Sequence, residues 1–500
     1  MYNINKNNNI YTFIRLFVYS FALLIMATSC NKMLEVVPES DITNTSFFKT
    51  LEEVDAGVIG CYSGLIKAVS NEWMLTELRS DNVWQRETGS GTSANLDLND
   101  LDMFRPSAYM ENIYTYWYNT YQNIANCNLV LEHLDVVVNA DLKKQYENEC
   151  RFIRAYHYFN LVRLFGPVFI CDHSISPLES KKIDRSSVEK VYEFIIEDLE
   201  KAGSLPTSYI ATQKGRATKW AAKALLGKIY LTLGDYTTAK TYLQDVVDNS
   251  GHEILPNFAN VFATNNEMNN EIIFAIRHKS GGAGLGATWS NDFAPLNSQT
   301  AVVLGNGRGL NSPTTDLANA YDINDARKAV TIGTWLNSQS TEYLYPKKLV
   351  IPITLTNDSE LDFPVLRFAD VLLMLAECEN ELGNTLTALT LLDPLRNRAG
   401  LLPLVSSSQM QARLLIEKER RLELAFENQR FFDLVRTNRL KEVLEEEIFV
   451  ANWGDHYSLL TPASQPKQGQ IIQNWQALLP IPGREIDANN SLIITQNFGY

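Results

Sequence analysis

Apolar residues recur every three or four positions along much of this chain, and the gaps between such runs divide it into elements. Phe47 to Val69 reads as an amphipathic helix opened by a cap at Thr45-Ser46. Asn112–Val138 repeats the pattern, with Trp117, Tyr121, Ile124 and Leu131 on its apolar side. Asp141–Phe165 follows and is stopped by Gly166-Pro167. Val188–Ala202 lies behind the capping pair Ser186-Ser187.

Residues 217–249 hold Leu226, Gly227, Tyr230, Ala239 and Leu243 in the spacing of a tetratricopeptide repeat. Gly227 and Ala239 allow two helices to approach, and Tyr230 fills the space between them. A second helical pair is expected over Pro364–Ala399, with Pro364 at its start and Gly383 and Gly400 after two helix ends. Pro394 falls inside it and predicts a kink. One such pair cannot bury its own face, so the pairs before residue 250 and after 360 are expected to stack. The predicted fold is mainly α, a tetratricopeptide-like stack of helical pairs.

Two stretches lack this period. Leu78–Met110 is rich in Gly, Ser, Asn and Asp and reads as a long loop. Residues 261–355 read as a loop-rich insertion with a few short strands, among them Glu271–His278. Trp289, Trp335, Tyr343 and Tyr345 fall within it. Ile416–Leu440 differs again, because charge and apolar residues are interleaved all round. It reads as an enclosed helix in which Glu423, Glu427 and Asp433 each find an arginine three residues away, Arg420 or Arg430; Glu419 has none at that spacing.

A net charge of -14 disfavours nucleic acid as a partner. At the N-terminus, Lys6 and Arg15 precede the apolar run Leu16–Met26, the small residues Ala27, Thr28 and Ser29, and Cys30. That order predicts a lipoprotein signal peptide over 1–29, with lipid on Cys30 anchoring the mature chain to a membrane surface. The other five cysteines show no metal-ligand spacing and read as core residues; one disulfide is possible, but the sequence does not name it.

No HExxH or GxSxG pattern is present, and Gly282, Gly284 and Gly286 lack the spacing of a nucleotide loop. No cofactor, metal or catalytic residue is expected. Carboxylates beside arginines stay ionised, which suits ion pairs and not the proton donor of a glycosidase. The remaining chemistry lies in the loop aromatics. Trp84, Trp289, Trp335 and Tyr343 are candidates for a platform on which pyranose C–H faces stack, with Asn82, Arg86 and Asn291 bonding the hydroxyls. Core plugging beneath the loops is the alternative for each ring.

Longer motifs run along the chain. They include Arg151, Phe152, Arg154, Ala155, Tyr158, Phe159, Leu161, Phe165 and Gly166; Trp117, Tyr121, Asn126 and Asn128; and Arg367, Ala369, Asp370, Ala376 and Glu377. Arg396, Arg398, Ala399 and Gly400 precede Glu419, Arg420, Arg421, Glu423, Glu427, Arg430, Asp433 and Arg436, and the chain closes on Leu479–Pro482, Glu485, Asn489 and Gln496–Tyr500. In these the chain resembles the SusD/RagB family of outer-membrane nutrient-binding lipoproteins. The resemblance implies an N-terminal helical region over 30–260 and a C-terminal region over 261–500. It also implies a non-catalytic protein, lipid-anchored in the outer membrane and facing outward, that holds oligosaccharides for a SusC-like TonB-dependent transporter. A glycoside hydrolase and a tetratricopeptide-type protein adaptor are the alternatives.

Overall fold

A computed structural model describes residues 47–85, 93–445, 472–488 and 494–500. The signal peptide, Thr45-Ser46, Cys30, Arg86 and Asn489 lie outside the described residues. Thr50–Tyr500 forms one compact unit.

The long helices are α1 (Leu51–Leu75), α2 (Ser93–Asp102), α3 (Glu111–Glu132), α4 (Ala140–Phe165), α5 (Val188–Ala202), α6 (Lys219–Thr232) and α7 (Tyr236–Asn249). After the insertion come α8 (Phe368–Glu381), α9 (Thr385–Thr390), α10 (Asp393–Arg398), α11 (Gln409–Glu423) and α12 (Arg430–Arg436). α1 packs on α3, α3 on α4, α4 on α5, α5 on α6 and α6 on α7; α7 meets α8, and α8 meets α11. The pairs before and after the insertion therefore form one continuous stack. At the α6–α7 contact a Cβ on Gly227 would stand 2.6 Å from Leu243, and Tyr230 stacks on Tyr242 at 5.7 Å.

Several boundaries differ from the sequence reading. α1 is capped by Thr50: its hydroxyl accepts the Glu53 N–H at 3.2 Å, and the Glu53 carboxylate accepts the Thr50 N–H at 2.8 Å. Leu78–Met110 is not all loop, because Leu98 and Leu101 share one face of α2 and are buried. Pro364 opens no helix; it lies in a strand opposite Ala275. Pro394 stands in the first turn of α10, where its missing N–H costs no hydrogen bond, so a helix start replaces the kink. Ile416–Leu440 is two helices. Between α11 and α12, Phe426 and Asn428 take left-handed φ of 67° and 59°, and the Phe426 N–H is taken by the Glu77 carboxylate at 3.0 Å.

The strands are short: β1 (Val83–Trp84), β2 (Ile272–Ile276), β3 (Ser312–Pro313), β4 (Ile332–Leu336), β5 (Glu342–Pro346) and β6 (Phe363–Arg367). They pair antiparallel as β1 with β3, β2 with β6, and β4 with β5.

Candidate functional site

The charges of the α11–α12 region pair mainly with distant residues and not along the helix. Glu423 accepts from Arg367 at 2.7 Å, from Arg327 at 3.0 Å and from Arg398. Glu419, without a local arginine, is held by Arg327 at 2.6 Å and Arg396 at 3.1 Å. Glu427 accepts from Lys348 at 2.7 Å and Arg367 at 2.8 Å. Asp433 alone of these acids keeps a partner three residues away, Arg436 at 2.7 Å, and it also meets Arg420. Burial pushes the Glu423 carboxyl upward, but the guanidiniums of Arg398, Arg367 and Arg327 outweigh it and hold the group well below the usual range. Glu423 is thereby held as an anion, unsuited to donating a proton.

The network ends on two pieces of irregular structure. Arg327, 0% exposed, lies one short helical turn before β4, and Lys348 lies two residues after β5. Both ends of the β4–β5 hairpin are thus tied to α11 and its following turn. On another side, Arg421 donates to the Asn82 side chain and the Asp81 carbonyl, both at 2.9 Å, and Arg430 grips the Asp81 carboxylate at 2.7 and 2.8 Å. Burial raises Asp81, yet Arg421 and Arg430 bring it down to about 2. These bonds fix the segment leading into β1.

The hairpin carries a group of partly exposed aromatic rings. Trp335 stands directly opposite Tyr343, with ring centroids 5.5 Å apart and planes inclined at 52°. Gly333 stands opposite Tyr345. Alternate residues share a strand face, so Trp335, Tyr343 and Tyr345 lie on one side. A Cβ on Gly333 would overlap the Tyr345 ring, so this glycine lets the ring lie against the backbone. All three rings are partly exposed. The turn is held by the Asn337 carboxamide, which accepts from Gln339 and Thr341 N–H at 3.0 and 2.8 Å, and Ser338, Gln339 and Ser340 are exposed at the tip. β3 runs beside β5 and pairs with β1, which brings the Trp84 strand into the same neighbourhood.

Three of the other candidates, Trp289, Asn291 and Asn82, are buried in the fold. Trp289 is 2% exposed, packed at 4.8 Å on His278 and 5.2 Å on Phe363, so its face is not a surface platform. Asn291 is 1% exposed: its amide donates to the Leu304 and Asn306 carbonyls and its oxygen accepts the Asn357 N–H. Asn82 is likewise buried, between Glu77 and Arg421. Amides free to bond a sugar in the sequence reading are consumed in pinning loops. The structure thus unites Trp335 with Tyr343 and places Trp84 nearby, but not Trp289, Asn82 or Asn291. Tyr345 was absent from the candidates; the alternation Tyr343-Leu344-Tyr345 was its signal. Among the described residues no group of acidic, histidine or cysteine side chains is arranged to hold a metal ion.

The SusD family matches residues 331–500, and a second related family, described as "Starch-binding associating with outer membrane", matches residues 32–231. The chain belongs to the SusD/RagB family. Among SusD-like relatives, protein P25 of Formosa agariphila is 26% identical over a 540-residue alignment covering 97% of this chain and 98% of that one. A solved structure titled "Laminarin binding SusD-like protein" is 27% identical, with a TM-score of 0.75 over 90% of this chain and 100% of that one. Surface glycan-binding protein A from Bacteroides thetaiotaomicron, solved in complex with laminarihexaose, shares the fold at 20% identity, with a TM-score of 0.74 over 90% and 99%. No helix among the described residues is long and apolar enough to cross a membrane.

Proposed function

We propose that this SusD/RagB protein binds oligosaccharides without turning them over and passes them to a TonB-dependent outer-membrane transporter. The observation that carries the reading is the partly exposed aromatic face of the β4–β5 hairpin, with exposed hydroxyl and amide side chains at its tip. Sugar rings stack their C–H faces on such rings, and the polar tip bonds their hydroxyls. The arginine-bound carboxylates of the α11–α12 region, with Glu423 held as an anion at their centre, support a non-catalytic protein. The laminarin-binding and starch-binding relatives support a glycan as the ligand. Lipid on Cys30 would place the protein on the outer surface of the outer membrane.

The test is calorimetry of the soluble chain against neutral and acidic glycans, with laminarin and starch among them. Trp335→Ala and Tyr343→Ala should each weaken binding at least about tenfold, matching the loss of about 1.4 kcal/mol or more in stacking. Unchanged affinity in both variants refutes the hairpin as the site. Release of reducing ends by the pure protein refutes the non-catalytic reading. Cys30→Ala should release the protein from the membrane fraction.

A further inference from the structure

Three cysteines meet in the core. Cys61 on α1, Cys127 on α3 and Cys150 on α4 are all buried as free thiols, and the Cys127 and Cys150 thiols, together with burial, push the Cys61 thiol well above its usual range. Cys171 sits against the Tyr158 hydroxyl, and Cys378 lies beside Glu377 and Arg436.

α1 and α3 cross closely at this level. A Cβ on Gly64 would collide with the Asn123 carboxamide, whose Nδ2 donates to the Cys61 carbonyl at 2.9 Å. Gly64 is one turn after Cys61, and Asn123 is one turn before Cys127. The Gly64–Asn123 approach and the Asn123–Cys61 bond mark an antiparallel seam between α1 and α3, and helical register puts Cys61 and Cys127 on that seam one turn further along. A disulfide needs Cα atoms within about 7 Å. Helix axes in ordinary packing stand about 8–10 Å apart, and a glycine at the crossing lets the backbones come closer. α4 carries no glycine, so Cys150 approaches Cys61 without that help.

We propose that Cys61 and Cys127 form a disulfide when the chain folds in an oxidising compartment, leaving Cys150 as a free thiol beside it. The compartment rests on the exported-lipoprotein reading above; the pairing does not. A small disulfide such as oxidised glutathione is a sufficient oxidant. The thiolate of one cysteine attacks it, forming a mixed disulfide and releasing one glutathione thiol. The thiolate of the other displaces the second glutathione and closes the S–S bond. Two electrons and two protons thus pass from the cysteine pair to two glutathione thiols. Both sulfurs are enclosed in the folded chain, so exchange takes place before α1 and α3 close.

The full chain is unfolded and refolded in glutathione buffer, alkylated under denaturing conditions, and mapped by mass spectrometry without reduction. The expected map joins the Cys61 and Cys127 peptides and shows Cys150, Cys171 and Cys378 alkylated. Cys150→Ala should keep the bridge, and Cys127→Ala should lose it. Alkylation of every thiol, or a Cys61–Cys150 bridge in the unmutated chain, overturns the proposal, and both readings need no variant to fold. The same map on protein taken from the cell envelope tests the compartment: a bridge in the refolded chain alone overturns that half while the pairing stands.

Discussion

Glu423→Gln removes one negative charge from the centre of the buried network and changes almost nothing else in shape. Three guanidiniums, those of Arg327, Arg367 and Arg398, converge on this carboxylate. Breaking a buried ion pair from one side costs about 3–5 kcal/mol, because the stranded charge is left desolvated. Here each arginine retains another acid: Arg327 has Asp325 and Glu419, Arg367 has Glu271 and Glu427, and Arg398 has Glu271. The expected loss is therefore at the low end, about 3 kcal/mol. Chemical denaturation at pH 7 reads it as a lower midpoint with an unchanged slope.

The pH dependence supplies a second, independent check. The arginines hold Glu423 below its unfolded value, so the folded state binds this proton more weakly than the unfolded one. Its contribution is complete above the unfolded carboxylate range, about 4, and is lost as pH falls toward the folded value. The difference between parent and variant should thus be constant from pH 8 to pH 5 and narrow only at the acid end, where the parent protonates too. A loss under about 1 kcal/mol at pH 7, or a difference that widens in acid, refutes the assignment of Glu423 as an ionised hub.

Trp289→Ala should lower stability by about 3–5 kcal/mol while the glycan affinity of the folded protein stays unchanged, since the ring is core packing and not platform; calorimetry on the folded fraction separates the two effects. Gly333→Ala drives a methyl into the Tyr345 ring, so glycan affinity should fall toward that of Tyr345→Ala, with a stability loss of about 1–3 kcal/mol read by denaturant titration. Burial pushes Glu72 up to about 7, against the pull of Arg163. Its folded pKa exceeds its unfolded one, so the parent should lose stability as pH rises from about 4.5 to about 7, by up to about 3 kcal/mol. Glu72→Gln should flatten that limb of the stability profile.

The sequence carried the helical stack because its signals are local. Gly227 opposite Leu243 and the Ser187 cap at 188–202 act within one element or between neighbours. It misread the charged stretch because pairing there is not local. Arg420 lies three residues from Glu423, yet the structure joins Arg420 to Asp370 and Asp433 and gives Glu423 to arginines from three other segments. The same limit governs the loop polar residues. Asn82 and Asn291 look like sugar ligands in a polar stretch, but their amides are spent on backbone groups and side chains that only the fold brings near. Trp335 and Tyr343 could be paired from strand alternation and the short turn between them; the burial of Trp289 depends on β2 and β6 and could not.

The placement of the ion network explains why such a costly interior is concentrated at one segment. Apolar packing is non-directional and tolerates sliding, whereas a bidentate arginine–carboxylate pair fixes both position and orientation. A helical stack alone would leave the irregular segments around it free to shift. Here Arg327 and Lys348 tie the two feet of the aromatic hairpin to Glu419, Glu423 and Glu427, and Arg421 and Arg430 tie the approach to Trp84 through Asp81 and Asn82. Hairpin and Trp84 strand are thereby referenced to the same short segment and so to each other. Buried ion pairs add little net stability over well-packed apolar groups, and their best-attested use is to set register. The α11–α12 region touches no proposed ligand, yet it determines where the aromatic rings stand.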